Sequence, residues 1–180
     1  MKHILAAWMR DRPGVLNRVT GLLSRRNFNI DSLQVSASEE PGISRMTFEV
    51  SGDDRTLEQV RSQLIKLVDV TRVESFAQET IVKRELALVR VAVGPDERRQ
   101  VLDLIQVFEA TVEDISRTDM LIQIVGREEK IDSLIGLLRD YHLLEMVRTG
   151  PVAIVRSTVA NVESEPALEP AGDTWQGGGV

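Results

Sequence analysis

The apolar residues in the first half of the chain recur with two different spacings, one typical of strands and one typical of helices. Residues 4–9 form an apolar run, and residues 46–50 alternate apolar with polar side chains, so both segments are predicted to be strands. Residues 15–23 carry apolar side chains at the spacing of an amphipathic helix. The remaining predicted elements are a strand over 30–35, a helix after Ser51 that carries Leu57, Val60, Leu64, Leu67 and Val68, and a strand near 70–73. The predicted order is βαββαβ.

The second half repeats this order of elements with little sequence identity to the first. Its predicted elements are a strand over 86–93, a helix from Asp96, a strand pair at 111–115 and 121–125, a helix over 128–140 and closing strands at 143–147 and 152–155. The pattern predicts an α+β chain of two tandem ferredoxin-like βαββαβ domains, residues 1–76 and 84–156, with a linker at 77–83. Residues 157–180 lack apolar periodicity and are predicted to be a disordered tail.

The strands also predict association between copies of the chain. In a βαββαβ unit the helices cover one face of the sheet. Trp8, Met9 and several β-branched residues make the other face partly apolar. Because exposed apolar faces and free edges favour pairing, we expect a homodimer that forms face to face or edge to edge.

Composition narrows the functional classes. The chain is 42% hydrophobic and 4% aromatic and has no cysteine, so its core is aliphatic and thiolate chemistry is excluded. The net charge is −6, and residues 157–180 hold −4 of it, which leaves −2 on residues 1–156. A ferredoxin-like RNA binder needs basic residues and stacked aromatics, so that alternative is disfavoured. No apolar run reaches the roughly 18 residues that span a bilayer, and no signal-peptide pattern opens the chain, so we expect a cytoplasmic protein.

The sequence shows no pattern typical of catalysis. His3 and His142 lack neighbours at metal-ligand spacing, and no nucleophile-elbow, P-loop or dinucleotide motif is present. Adjacent carboxylates such as Glu128-Glu129 lie at helix starts, where they favour the helix dipole. We therefore predict no catalytic residues, no bound metal and no cofactor on this chain.

The junction Asp11-Arg12-Pro13-Gly14-Val15-Leu16 is the candidate small-molecule site. Proline and glycine stand where the first strand gives way to the first helix, and two readings are open. In one, Pro13-Gly14 is only a turn before a helix. In the other, free N–H groups near Gly14, Val15 and Leu16 bind a carboxylate, and the absent side chain of Gly14 allows close approach.

A second segment supplies the groups that an amino acid would also need. Asp11 is a candidate partner for an ammonium group, and the amide oxygen of Asn29 is a candidate acceptor. Val35 is predicted to shape a small apolar pocket, and Ile30, next to Asn29, completes the set of effector-binding candidates. Together these residues describe a site for a small aliphatic α-amino acid.

Several strings of the chain resemble a known family. Residues 1–76 resemble an ACT domain, a fold that commonly binds amino acids between subunits. The match extends to the small regulatory subunit of acetolactate synthase, also called acetohydroxyacid synthase. The strings that carry it are 13–16, 28–33, 41–47, 66–70, 84–88 and 148–151, in order across both halves.

This resemblance implies a non-catalytic subunit of branched-chain amino-acid biosynthesis. Such a chain associates with a large catalytic subunit that carries thiamine diphosphate, Mg and FAD. It raises the activity of that subunit and confers feedback inhibition by valine. The resemblance also implies that the effector lies between two ACT domains, with the Gly14 loop from one chain and the Asn29 strand from the other.

One residue departs from the family. Related bacterial subunits often have asparagine at the position of Asp11, and a carboxylate there repels the carboxylate of an effector. Effector specificity and sensitivity are therefore left open. The alternative function is a stand-alone ACT-type amino-acid-sensing module that needs no catalytic partner.

Overall fold

The computed structural model describes residues 2–26, 28–77 and 80–157. In chain order its elements are β1 (Lys2–Arg10), α1 (Val15–Arg25), β2 (Ile30–Ala37), β3 (Ile43–Ser51), α2 (Asp54–Leu64), β4 (Val70–Phe76), β5 (Ile81–Ala92), α3 (Arg98–Val107), β6 (Thr111–Ile115), β7 (Asp119–Gly126), α4 (Glu128–Leu138), β8 (His142–Arg148) and β9 (Val152–Val155). The predicted α+β fold of two βαββαβ units is confirmed. None of the helices in these ranges is long and apolar enough to cross a membrane.

The first unit is a four-stranded antiparallel sheet in the order β2-β3-β1-β4. Alternate residues of the central strands point to α1 and α2, where apolar side chains form an aliphatic core with one aromatic ring. The core residues are Leu5, Ala7, Met9, Val15, Val19, Leu23, Met46, Phe48, Val50, Val60, Leu64, Val70 and Val73. The second unit has the equivalent order β6-β7-β5-β8, and α3 and α4 cover its core.

The other face of the first sheet is covered within the same chain. β5 begins at Ile81, inside the segment predicted as a linker, and its first residues pair with β9. Ile81 and Ala153 of this two-stranded ribbon pack on Ile4 of β1. The same chain therefore supplies part of the cover that was expected from a second copy. This cover helps to explain why every residue of 4–9 is buried.

Trp8 lies on this covered face between two arginines. The guanidinium carbon of Arg72 is 3.6 Å from the centroid of the indole rings and that of Arg45 is 5.0 Å away, both within cation–π range. Arg45 Nη2 also donates to the carbonyl of Ala153 at 2.6 Å. Trp8 and Arg45 therefore help to hold the ribbon against the first sheet.

The end of α2 differs from the predicted one. The apolar spacing predicts that α2 carries Leu67 and Val68, but α2 ends at Leu64. The N–H of Leu67 bonds to the carbonyl of Leu64, and that of Val70 to the carbonyl of Leu67, so the chain turns tightly into β4. Val68 is 87% exposed as a result. Of the predicted tail, Ser157 is described, and residues 158–180 lie outside the described residues.

Candidate functional site

The Gly14 loop is a tight connection between β1 and α1. The N–H of Asp11 bonds to the carbonyl of Gly42 at 2.8 Å, and the N–H of Arg12 bonds to the carbonyl of Arg10 at 3.0 Å. Gly14 then stands just before the first residue of α1 with φ 84° and ψ −10°. Only glycine adopts this left-handed conformation without a steric penalty, so the sequence places it where the turn requires it.

The amides at the start of α1 are the candidate carboxylate-binding groups, called the anion seat below, and their hydrogen bonds show which of them are free to bind. The N–H of Val15 already donates to the carbonyl of Arg12 at 3.3 Å, and that of Arg18 to the carbonyl of Gly14 at 3.0 Å. Within the described residues, the N–H groups of Gly14, Leu16 and Asn17 have no acceptor. The seat therefore consists of these three amides, and Asn17 was missed because only helix position, not residue type, reveals it.

Access to this seat is open. A Cβ atom added to Gly14 would meet nothing within 4 Å. Asp11 and Pro13 are exposed, and Leu16 is 40% exposed. Val15, in contrast, is buried in the core, so it supports the helix instead of facing a ligand.

The Asn29 segment holds the candidate acceptor for an ammonium group. Asn29 Nδ2 donates to Asp31 Oδ1 at 2.7 Å, and Ser51 Oγ donates to the other carboxylate oxygen of Asp31. This arrangement leaves the amide oxygen of Asn29 as the acceptor, since no donor among the described residues reaches it. Asp31 places a negative charge beside it, a role that sequence reasoning did not assign.

Ile30 and Val35 lie at different ends of β2. Ile30 packs against the core beside Asn29, whereas Val35 pairs with Met46 further along the strand and is 39% exposed. β2 is an edge strand, bonded to β3 on one side only in the described sheet. Its other edge is the natural place for a second strand to add.

One chain does not bring the two halves of the candidate site together. The register aligns Ile30 with Val50 and Val50 with His3, while Arg10 aligns with Ile43. At about 3.3 Å per residue, the Asn29 segment and the Gly14 loop are therefore about 23 Å apart along the sheet. Val35 aligns through Met46 with Ala7, in the middle of β1. The Gly14 loop is one candidate half-site, beyond the end of β1. Asn29 and Ile30 form the other, near its beginning.

A small cavity lies beside the Gly14 loop. It measures about 190 Å³ and is lined by apolar residues of α1 and of the α2–β4 turn, including Val19 and Leu67. The Arg18 guanidinium at its rim is paired with Asp69 at 2.9 Å. Asp69 offsets the charge of Arg18, and Lys66 is a second basic residue of the lining, so the cavity combines apolar walls with charged side chains.

No metal centre is found in residues 2–26, 28–77 and 80–157, where no three His, Cys, Asp or Glu side chains are placed to hold an ion. His3 Nε2 is instead 3.2 Å from the carbonyl of Gly52. The polar groups that the two candidate half-sites offer are backbone amides, an amide oxygen and carboxylates.

Comparison with known proteins confirms the resemblance seen in the sequence. The family model described as "AHAS small subunit-like ACT domain" matches residues 5–72, and that described as "Small subunit of acetolactate synthase" matches residues 84–157. A probable acetolactate synthase small subunit of Archaeoglobus fulgidus is 44% identical over 156 residues, which are 87% of this chain and 98% of the relative. The acetolactate synthase small subunit of Bacillus subtilis is 39% identical, covering 93% of this chain and 98% of the relative.

A solved structure supports the same assignment. The crystal structure of the acetolactate synthase small subunit from Thermotoga maritima superposes with a TM-score of 0.83 at 37% identity. The superposition covers 87% of this chain and 98% of that one, so both domains and their arrangement are shared. The chain belongs to the acetolactate synthase small-subunit family.

Proposed function

We propose that this chain is a regulatory subunit that activates the catalytic subunit of acetolactate synthase and makes it sensitive to valine. Membership of the small-subunit family supports a catalytic partner. The observation that carries the valine assignment is the pair of half-sites, an open amide seat at Gly14 and an acceptor at Asn29. They complement the two charged ends of an α-amino acid.

Each end of valine has a defined position in this proposal. The carboxylate accepts from the N–H groups of Gly14, Leu16 and Asn17, where the helix dipole also favours a negative charge. The ammonium donates to the amide oxygen of Asn29 and is attracted by Asp31. A small branched side chain would contact Ile30 and Val35.

Valine binding in this arrangement requires two copies of the chain. We propose a homodimer in which the free β2 edges pair antiparallel about a two-fold axis. That pairing brings the Asn29 end of one β2 towards the Val35 end of the other, and so towards the partner's Gly14 loop. The dimer has two such sites, each built from both chains.

The chemistry of acetolactate synthesis belongs to the large subunit in this proposal. That subunit carries thiamine diphosphate, Mg and FAD, and this chain contributes no catalytic group and binds none of them. Both subunits share one compartment, the cytoplasm. Valine acts by stabilising a state of the regulatory dimer that activates the partner less, and its effect is limited by its difference in affinity for the two states.

Reconstitution tests the proposal. The chain is added to an acetolactate synthase catalytic subunit, and acetolactate formation is measured with and without valine. We expect the chain to raise the rate and valine to reverse the increase. No rise in rate would refute the subunit role. Valine binding without any rise would favour the stand-alone sensing module, and a rise that valine leaves untouched would refute the effector assignment.

A further inference from the structure

A chain of polar contacts connects β2 to the second domain. Ser32 Oγ donates to Glu49 Oε2 at 3.3 Å, and Glu49 Oε1 accepts from Lys83 Nζ at 2.7 Å. Lys83 Nζ also lies 3.4 Å from Glu128 Oε2, in the first turn of α4. Ser32 follows Asn29 by three residues on β2, so the contacts begin next to the proposed ammonium half-site.

Lys83 is the charge that joins Glu49 to Glu128, and Lys2 Nζ of β1 lies 3.2 Å from the other carboxylate oxygen of Glu128. Glu49 is only 4% exposed, and a buried carboxylate is costly unless it is paired. Burial by itself lowers the pKa of Lys83, but its hydrogen bond to Glu49 and the charges of Glu49 and Glu128 outweigh that effect and raise it. Lys83 therefore stays protonated and holds one carboxylate from each domain.

A second contact connects β2 to α4. Gly150, in the turn between β8 and β9, lies so close to β2 that an added Cβ would be 2.7 Å from the Cβ of Ser32. This turn is anchored to α4 because Arg148 bonds both to the buried Glu85 and to Asp132. Glu128 and Asp132 are one turn apart on α4, so both contacts reach the same side of that helix.

β2 is also irregular at this point. The register between β2 and β3 shifts between Ile30 and Ser32, which leaves Asp31 as an extra residue. Such bulges loosen the ladder locally and re-aim side chains. A ligand that draws Asn29 and Asp31 towards it therefore acts on the part of β2 that is least constrained by pairing, immediately before Ser32.

We propose that Lys83 couples the Asn29 half-site on β2 to helix α4, so that occupancy of the half-site changes how the second domain is seated on the first. This inference rests on the proposed function, because it concerns how valine acts on a distant surface. Valine moves Ser32 relative to Glu49, Lys83 transmits the change to Glu128, and the Gly150 turn follows Ser32. Lys83 is a positioning residue and does not contact the effector.

Hydrogen exchange on the full chain, with and without valine, tests this connection. In the wild-type chain we expect changes in exchange at residues 29–34 and also at 128–132 and 150–155. In Lys83→Met, which keeps the length of the side chain but removes its charge, the change at 29–34 persists. The changes at 128–132 and 150–155 should be lost, to within the error of the measurement.

A matched lysine provides the control. Lys130 Nζ pairs with Glu109 at 3.2 Å within the second domain. Lys130→Met should therefore respond like the wild type. Lys83→Arg, which retains the charge, should restore part of the response. If Lys83→Met is unfolded, Glu49→Gln combined with Lys83→Met removes both charges, avoids an unpaired buried carboxylate and decides the question.

The reconstituted enzyme gives a second readout. Linkage requires valine to bind the free chain and the assembled enzyme with different affinities wherever coupling exists. The ratio of the two affinities for valine should be at least about five in the wild type and about one in Lys83→Met. Unchanged exchange at 128–132 and a preserved difference in Lys83→Met would overturn the inference. No exchange response at 29–34 in the wild type would instead overturn the valine assignment, so the two failures are distinguishable.

Discussion

Gly14 combines two roles at the residue scale, because its left-handed backbone shapes the loop and its missing side chain keeps the seat open. We predict that Gly14→Asp abolishes valine inhibition, since its carboxylate occupies the seat and repels that of valine. Activation of the catalytic subunit should persist. The measurement is acetolactate formation by the reconstituted enzyme across a valine titration.

A second variant, Gly14→Ala, distinguishes the effect of backbone strain at this position from the effect of the added charge. Both variants carry a non-glycine residue at φ 84°, which costs about 1 kcal/mol of folding free energy. Aspartate tolerates this conformation better than alanine, and its carboxylate is favoured at a helix N-terminus, so Gly14→Asp should be at least as stable as Gly14→Ala in chemical denaturation. Valine affinity should nevertheless fall at least about tenfold further in Gly14→Asp, a difference of about 1.4 kcal/mol. Equal affinities in the two variants would place the carboxylate elsewhere.

Asp11 is an exposed carboxylate three residues before Gly14. We predict that Asp11→Asn strengthens valine binding by up to about fivefold, since it removes a charge that repels the carboxylate of valine and an exposed charge pair contributes up to about 1 kcal/mol. The gain should shrink as salt is added, because exposed charges are screened. Calorimetric titration at two ionic strengths measures both effects, and weaker binding in Asp11→Asn would show instead that Asp11 holds the ammonium.

At the scale of elements, α2 depends on its N-cap. Asp53 Oδ1 accepts from the N–H of Thr56 at 2.8 Å and from its hydroxyl at 2.6 Å, and these bonds lower the pKa of Asp53. We predict that Asp53→Ala lowers the free energy of unfolding at pH 7. Asp54→Ala, one residue on in the first turn, is the matched control and should have a smaller effect.

The pH dependence of this cap has a definite sign. The pKa of Asp53 is lower in the folded chain than in the unfolded one, so its contribution is present above the unfolded value and lost as pH falls through the folded one. The difference in free energy of unfolding between the wild type and Asp53→Ala, measured by urea denaturation, should therefore decrease below about pH 4. If this difference stayed constant as the pH was lowered, the charge of the carboxylate would not contribute to the cap.

The order of elements could be predicted from the sequence because each has its own apolar period. The packing of β9 could not, since the strand pattern of 152–155 does not say which sheet its buried residue meets. Ala153 packs on Ile4, a residue 149 positions earlier in the chain. At the candidate site, Pro13-Gly14 predicts the loop before α1, whereas the free amide of Asn17 and the position of Asp31 depend on helix position and strand pairing, which composition does not reveal.

At the scale of the whole molecule, β9 holds the two domains together. A chain that ends at Thr149 loses the Ala153 contact with Ile4 and the bond from Arg45. Exposing a fully buried side chain of the size of isoleucine costs about 1.5–3 kcal/mol, so we predict a loss of at least that much from the free energy of unfolding. A chain that ends at Ser157 keeps β9 and is the control, and chemical denaturation of both chains measures the difference.

The separation of about 23 Å between the half-sites makes mixing of two defective chains the strictest test of a shared site. Gly14→Asp destroys one half-site and Asn29→Ala the other, so neither variant alone should bind valine. Unfolding and refolding the two together at equal concentration makes half of the dimers mixed, and each mixed dimer holds one intact site of its two. Valine binding should then recover to about one quarter of the wild-type number of sites, with wild-type affinity, by the statistics of a two-fold dimer. Each variant refolded alone is the control. If every site lay within a single chain, mixing would restore nothing, because no chain in the mixture carries both intact halves.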